Sequence, residues 1–151
     1  MIRWVLALTL MTTGAMAEPR RVVVLGGTTA EIVAALGAQD RLVARDSTST
    51  YPETLTALPD VGYLRALSPE GVLSVGPDMI LAEAGAGPAE AVEVLKASGL
   101  TYVTVPEGFG PEDIAKKITV IGAALGQEQA TKMLAAQVEA GLTEARAKAD
   151  A

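Results

Sequence analysis

The sequence has 151 residues and a formal net charge of −6, and it contains neither cysteine nor histidine. These absences exclude disulfides, thiolate metal sites and every catalytic or metal centre that needs imidazole. An acidic chain without a basic cluster is also a poor partner for nucleic acid or an anionic membrane surface, so we expect no nucleic-acid partner.

Residues 1–17 have the features of a secretory signal peptide. Arg3 gives a positive start, residues 4–11 form an apolar run, and Ala15-Met16-Ala17 is an Ala-x-Ala cleavage site. The apolar run is too short to span a bilayer as a helix. We therefore expect an exported chain that begins at residue 18.

Short apolar, β-branched runs alternate with helical periodicity along the rest of the chain. Four strands are predicted, at residues 20–25, 42–44, 79–82 and 102–105. The predicted helices cover residues 30–36 (capped by Thr28 or Thr29), a brief segment from 51 to 59, a short helix opened by Ser68-Pro69-Glu70, and residues 89–98, 112–125 and 127–151. This alternation predicts an α/β fold, a three-layer parallel-sheet lobe over residues 18–126.

The last predicted helix, residues 127–151, differs from the others in having no later element to pack against. Its apolar stripe consists of Met133, Leu134, Val138 and Leu142. An isolated helix of this length is only marginally stable in water. We expect this stripe to pack on neighbouring structure.

The segment from Gly62 to Ser74 carries the most informative side chains. Tyr63 follows a turn, and a deprotonated phenol oxygen is one of the few side-chain ligands that hold ferric haem. In an extended segment, Arg65 would lie on the same side as Tyr63, where its charge would favour the phenolate. Tyr63 is thus a candidate iron ligand with Arg65 as its tuning residue, although a half-buried tyrosine on a turn and a surface arginine are the simpler interpretations.

Several loops at predicted strand ends are candidate pocket residues. Gly26-Gly27-Thr28-Thr29 lacks the dinucleotide-binding spacing and the phosphate-loop lysine, but its amides could face an anionic group. Gly85 and Gly87 follow the third strand, where open α/β sheets place ligands, or form a flexible turn. Tyr51 follows a polar loop and competes with Tyr63 as a ligand, whereas Tyr102 lies in an apolar strand and is expected in the core.

An enzymatic function has little support in the sequence. No Gly-x-Ser-x-Gly or Ser-x-x-Lys motif is present. Glu83 and Asp78, near one strand, could be an acid and a base, but nothing separates them from solvated carboxylates. We expect no enzymatic activity.

Together, these segments resemble the periplasmic substrate-binding proteins of ABC importers in which one long helix joins two α/β lobes. Residues 22–37, 61–74 and 77–82 all resemble the amino-terminal lobe of this class, which carries haem, cobalamin or ferric siderophores. Residues 62–74, Gly-Tyr-Leu-Arg-Ala-Leu-Ser-Pro-Glu-Gly-Val-Leu-Ser, are most similar to the haem-specific branch.

The resemblance implies a function and a role for each matched residue. Tyr63 would be the axial ligand of haem iron, Arg65 would hydrogen-bond that tyrosine, and Glu70 would dock on the permease of the importer. The protein would be periplasmic, deliver haem without a chemical step, and meet the membrane only through the permease. Cobalamin or a ferric siderophore is the alternative cargo.

The resemblance also implies a second lobe of similar size after the connecting helix. Residues 127–151 would be the start of that helix, and the sequence ends within it. Because ligand lies between the lobes in this class, a single lobe would supply half of the pocket. A truncated lobe that binds no ligand tightly is therefore a further alternative.

Overall fold

The computed structural model describes residues 21–150, so the predicted signal peptide lies outside the described residues. Four parallel strands form one sheet with the order β2-β1-β3-β4. The strands are β1 (Val22–Leu25), β2 (Leu42–Arg45), β3 (Met79–Glu83) and β4 (Thr101–Val105). All four predicted strands are present, with ends that differ by one or two residues.

Five α-helices and two short 3₁₀ segments connect the strands and complete the described part of the chain. The helices are α1 (Gly27–Ala35), α2 (Pro69–Ser74), α3 (Ala89–Ala97), α4 (Pro111–Ala124) and α5 (Glu128–Ala149). The 3₁₀ segments are Gln39–Arg41 and Glu53–Ala57, the second of which lies where the brief helical segment was predicted. No helix among residues 21–150 is long and apolar enough to cross a membrane.

The sheet is covered on both faces, which confirms the three-layer α/β prediction. Alternate residues of β1 point to opposite faces, so Val22 and Val24 join one core while Val23 and Leu25 join the other. Helices α1 and α4 pack on the first face, and α2 and α3 pack on the second. Full burial of each such side chain contributes about 1.5–3 kcal/mol, so the two cores fix the sheet from both sides.

The start of α1 differs from the prediction. Gly26, rather than Thr28 or Thr29, is the N-cap residue, and both threonines lie inside the first turn. Gly26 has φ +121°, and a Cβ there would overlap the side chain of Glu83. Only glycine meets both constraints, and its lack of a side chain leaves the capping to residues from elsewhere in the chain.

Helix α5 lies against α4, but only part of its predicted apolar stripe is buried. Leu134 and Val138 pack on the first core, and Leu142 is partly buried. Met133 is 65% exposed, so its place in the stripe was wrong. Residues 133 and 134 are one step apart, which on a helix separates their side chains by more than a quarter turn.

Helices α4 and α5 approach each other closely at Gly122. A Cβ added there would overlap Oγ1 of Thr131, which is buried and donates a hydrogen bond to the Gln127 carbonyl at 2.7 Å. We expect Gly122→Ala to lower the free energy of unfolding by about 1–3 kcal/mol, because overpacking forces the helices apart. Urea unfolding followed by circular dichroism measures this loss. Gly141→Ala is the matched control, since a Cβ at Gly141 meets no atom within 4 Å.

Candidate functional site

Loops from all four strands meet at the carboxyl edge of the sheet. β1 lies between β2 and β3. After β1 the chain forms β2 on one side of β1 and then crosses over to form β3 on the other side. Open α/β sheets bind ligands at such a switch point. We call residues 46–52 the β2 loop, residues 60–68 the Tyr63 segment, residues 84–88 the β3 loop and residues 106–110 the β4 loop.

Asp46 organises the β2 loop from a fully buried position. Its carboxylate accepts hydrogen bonds from the Gly26 amide at 2.9 Å and the Ser49 hydroxyl at 2.6 Å. It also accepts from the Thr48 amide at 3.1 Å and the Thr48 hydroxyl at 2.7 Å. A buried carboxylate with this many donors is stably held, and it ties the start of α1 to the β2 loop.

The Tyr63 segment is attached to the end of β2 and to the β2 loop. The Val61 amide donates to the Arg45 carbonyl, and the Ser47 amide donates to the Gly62 carbonyl, both at 2.9 Å. The Arg45 guanidinium, mostly buried, reaches the carboxylate of Asp60 at 3.2 Å. These bonds fix the backbone immediately before Tyr63.

Tyr63 lies at this edge with 47% of its surface exposed. Among residues 21–150, no group forms a hydrogen bond with its hydroxyl. The hydroxyl therefore remains able to bind an external group. The Tyr63 phenol oxygen is thus a candidate ligand atom at this edge.

The backbone after Tyr63 is a turn, so the expected extended geometry was wrong. The Ala66 amide donates to the Tyr63 carbonyl at 2.8 Å. Leu64 and Leu67 are both buried, and a turn lets two residues three apart reach the same core. The relative placement of Tyr63 and Arg65 is consequently set by this turn and not by strand alternation.

Arg65 is exposed, and its guanidinium lies beside the β3 loop. Nη2 is 3.8 Å from the position that a Cβ of Gly85 would occupy, and Oε1 of Glu107 is 3.1 Å from the same position. Within the described residues Arg65 forms no ion pair. The structure thus brings Arg65 together with Gly85 and leaves its charge available to a ligand, while its predicted hydrogen bond to Tyr63 stays a prediction.

The β3 loop pairs directly with the Tyr63 segment. The Gly87 amide donates to the Leu64 carbonyl at 2.8 Å, and the Gly87 carbonyl accepts from the Leu67 amide at 2.9 Å. Gly87 therefore lies beside the Tyr63 segment, and Gly85 lies two residues earlier in the same loop. Their role in binding stays a prediction.

The helix start that was expected to face an anion is already close to two carboxylates of the protein. Gly26 donates to Asp46, and the Thr29 amide approaches Oε1 of Glu83 at 3.4 Å. Thr28 is exposed, whereas the buried hydroxyl of Thr29 has no partner among the described residues. A ligand carboxylate at Thr28 would therefore be placed near negative charge.

The two other tyrosines differ in exposure. Tyr51 is 67% exposed at the end of the β2 loop, so it remains a possible pocket residue. Tyr102 is half-buried in β4, where burial and, second, the charge of Glu93 raise its pKa. Raising that pKa disfavours the phenolate, so Tyr102 is poorly suited to bind iron.

The remaining acidic candidates are separated from one another. Glu70 is exposed in the first turn of α2, which begins after the Ser68 cap and Pro69. Asp78 and Glu83 lie at opposite ends of β3, so they do not form an acid–base pair. No group of three or more carboxylates that could hold a metal ion occurs in residues 21–150.

Four residues of this edge were not singled out from the sequence. Arg45 followed a predicted strand and Asp46 began a polar loop, yet Arg45 bonds to the Tyr63 segment and Asp46 holds the β2 loop beside it. Glu107 and Phe109 lie in a turn next to the β3 loop, and Phe109 is fully exposed. The one available signal was that Phe109, the only phenylalanine of the sequence, lies between two glycines.

Solved structures with the same fold include two periplasmic haem-binding proteins. The periplasmic haem-binding protein RhuT from Roseiflexus sp. RS-1, in its apo form, is 38% identical with a TM-score of 0.81, over 84% of this chain and 49% of that chain. The periplasmic haem-binding protein BhuT, in complex with two haems, is 43% identical with a TM-score of 0.74, over 78% of this chain and 45% of that chain.

One relative is named for a different cargo. The vitamin B12-binding protein of Yersinia pestis is 36% identical over 96 residues, which are 64% of this chain and 34% of that protein. The chain thus spans about a third to a half of the length of the proteins that it matches.

The family model described as "Periplasmic binding protein" matches residues 22–151. This range includes all four strands and all five helices. Proteins of this class bind substrates for ABC transporters and are not enzymes. The chain belongs to the periplasmic binding protein family.

Proposed function

We propose that this chain is the amino-terminal, haem-binding lobe of a periplasmic protein that delivers ferric haem to an ABC importer. The single observation that carries the proposal is Tyr63, half-exposed at the carboxyl edge of the sheet with a hydroxyl that no described residue engages. Its phenolate is a strong ligand for ferric iron. RhuT and BhuT are haem-binding proteins, and their similarity to this chain supports this cargo.

In this proposal the chain captures and releases its cargo without a chemical step. Tyr63 would bind the iron, and the free charge of Arg65 would stabilise the phenolate form or pair with a propionate. Thr28, Tyr51, Gly85 and Gly87 are proposed pocket residues. A second lobe would cover the other face of the porphyrin, because ligand sites usually bury about 70–90% of such a molecule.

Delivery requires a contact with the permease, which we assign to Glu70. It is exposed in the first turn of α2, where a carboxylate is favoured by the helix dipole. One exposed ion pair contributes only about 0–1 kcal/mol, so Glu70 would act together with a counterpart on a second lobe. Residues 1–17 would direct the protein to the periplasm.

A haemin titration followed by absorbance tests the proposed cargo. We expect a saturable spectrum with the charge-transfer band of tyrosinate-bound ferric haem. The same chain unfolded in urea reports non-specific haemin binding. A linear, unsaturated response equal to that of the unfolded chain would reject haem as the ligand.

Vitamin B12 is the second candidate cargo, because a relative that is 36% identical carries that name. A ferric siderophore is a third possibility within the same class. Competition distinguishes them: cyanocobalamin or a ferric catecholate should displace haemin only if it shares the site. Saturable binding of cyanocobalamin without haemin binding would reverse the assignment.

The charge of Arg65 provides a further prediction. We expect Arg65→Ala to weaken haemin binding about tenfold, as is typical when a residue that supports a metal ligand is removed. Arg65→Lys should recover part of the affinity because it keeps the charge. An identical band and affinity in all three proteins would contradict the tuning role.

A further inference from the structure

Phe109 is the only phenylalanine of the sequence and has a fully exposed side chain. Phenylalanine gains more from burial than most residues, so complete exposure leaves a large apolar surface in water. Single exposed apolar residues are common and need no explanation by themselves. Phe109 differs from such residues because its loop is fixed by hydrogen bonds and adjoins the candidate site.

Hydrogen bonds to side chains of α4 fix the β4 loop on both sides of Phe109. The Lys117 ammonium, largely buried, donates to the Gly108 carbonyl at 3.0 Å, and the Gly110 amide donates to Asp113 at 3.1 Å. Hydrogen bonds from Lys116 and, second, from Gly110 hold the pKa of Asp113 below its usual value, so this carboxylate stays charged at neutral pH. The loop is therefore built to present Phe109 outward.

Gly108 reinforces this arrangement. Its φ is +146°, and a Cβ there would overlap the Asp113 carboxylate. The backbone consequently approaches α4 as closely as only glycine permits. The bonds to Asp113 and Lys117 fix the residues on both sides of Phe109, so its exposure is a property of the fold and not of a loose turn.

The β4 loop also adjoins the candidate ligand edge. Glu83 pairs with Val105, and the Ala84 amide donates to the Val105 carbonyl at 2.9 Å, so the β3 and β4 loops start side by side. Oε1 of Glu107 reaches within 3.1 Å of the Cβ position of Gly85. The β3 loop is in turn hydrogen-bonded to the Tyr63 segment through Gly87. Phe109 and Tyr63 thus belong to one continuous row of loops.

We infer that Phe109 is a ligand contact, an aromatic ring that packs against the conjugated face or edge of a tetrapyrrole held at Tyr63. This inference rests on the proposed function and names the part of the site that would select a wide, flat, apolar ligand. Tyr63 offers one polar atom and Arg65 one charge, and neither covers apolar surface. An aromatic ring on the neighbouring loop excludes water from the ring system and adds a stacking or edge contact.

Fluorine NMR tests the contact directly, because one phenylalanine gives one signal. The full chain is labelled with 4-fluorophenylalanine and titrated with gallium protoporphyrin IX, a diamagnetic stand-in for ferric haem. Absorbance reports binding, and the fluorine signal reports proximity to the porphyrin ring current. We expect the fluorine signal to move in step with the absorbance change, upfield if Phe109 lies over the face of the porphyrin and downfield if it lies at the edge.

Absorbance tests haem binding and the fluorine signal tests the Phe109 contact, so the two proposals can fail separately. Porphyrin binding with an unmoved fluorine signal would overturn the Phe109 contact and leave the haem assignment standing. No saturable absorbance change would overturn both. A fluorine shift produced by raising the protein concentration alone would assign Phe109 to contact between two copies of the chain and overturn the inference.

Substitution gives an independent readout. We expect Phe109→Ala to weaken porphyrin binding about three- to tenfold, the range expected for one aromatic contact. Met133→Ala, which removes an exposed apolar side chain from α5, is the matched control and should leave binding unchanged. Equal affinities for Phe109→Ala and the unsubstituted chain would overturn the inference, and circular dichroism verifies that each variant is folded.

Discussion

Tyr63→Phe is expected to abolish the tyrosinate charge-transfer band and to lower the affinity for haemin by more than about tenfold, or ~1.4 kcal/mol. The substitution removes one oxygen atom and retains the ring. The Tyr63 hydroxyl has no hydrogen-bond partner among residues 21–150, so its removal leaves no buried group unpaired. The free energy of unfolding should therefore stay within about 0.5 kcal/mol of its original value. A loss of binding without a loss of stability would identify Tyr63 as the ligand.

The other two tyrosines serve as matched controls for this measurement. Tyr51→Phe removes the hydroxyl of a residue that is more exposed than Tyr63, and Tyr102→Phe removes one whose pKa is raised by burial. Both variants should keep the charge-transfer band. A band that survives in Tyr63→Phe and disappears in Tyr51→Phe would transfer the ligand role to Tyr51.

The architecture could be predicted from the sequence because it depends on patterns of short range. Runs such as Val22–Leu25 and Met79–Glu83 are apolar without alternation, which is typical of strands covered on both faces. The glycines and prolines between the elements mark their ends. Capping was mispredicted at α1 because the groups that satisfy Gly26 and Thr29 come from Asp46 and Glu83, which are distant in sequence.

The candidate site was predictable only in part, for the same reason. Tyr63 was identified from its neighbours in sequence, but the turn that follows it depends on the burial of Leu64 and Leu67 and on pairing with Gly87. The position of Arg65 next to Gly85 likewise results from folding and has no local signal. Short-range spacing therefore suggested the residues, whereas their geometry required the tertiary structure.

Asp46→Ala is expected to have the largest effect on stability, a loss of about 3–5 kcal/mol, because Asp46 ties the start of α1 to the β2 loop from a fully buried position. Without its carboxylate, the Gly26 amide and the hydroxyl of the fully buried Ser49 lose their acceptor. Each buried donor left unpaired costs about 1–3 kcal/mol. Urea unfolding at neutral pH measures the loss. Asp40→Ala, which removes an exposed carboxylate beside β2, is the control and should change stability by less than about 0.5 kcal/mol.

Asp46→Asn separates the stability of this network from its effect on the site. The amide keeps one acceptor oxygen and replaces the other with a donor, so about half of the hydrogen bonds can persist and the chain should remain folded at low temperature. The Ser47 amide, next to Asp46, supports the Gly62 carbonyl immediately before Tyr63. Loosening the β2 loop should therefore weaken haemin binding although residue 46 lies too deep to touch the ligand. Unchanged affinity in folded Asp46→Asn would show that the Tyr63 segment is positioned by Arg45 and Gly87 alone.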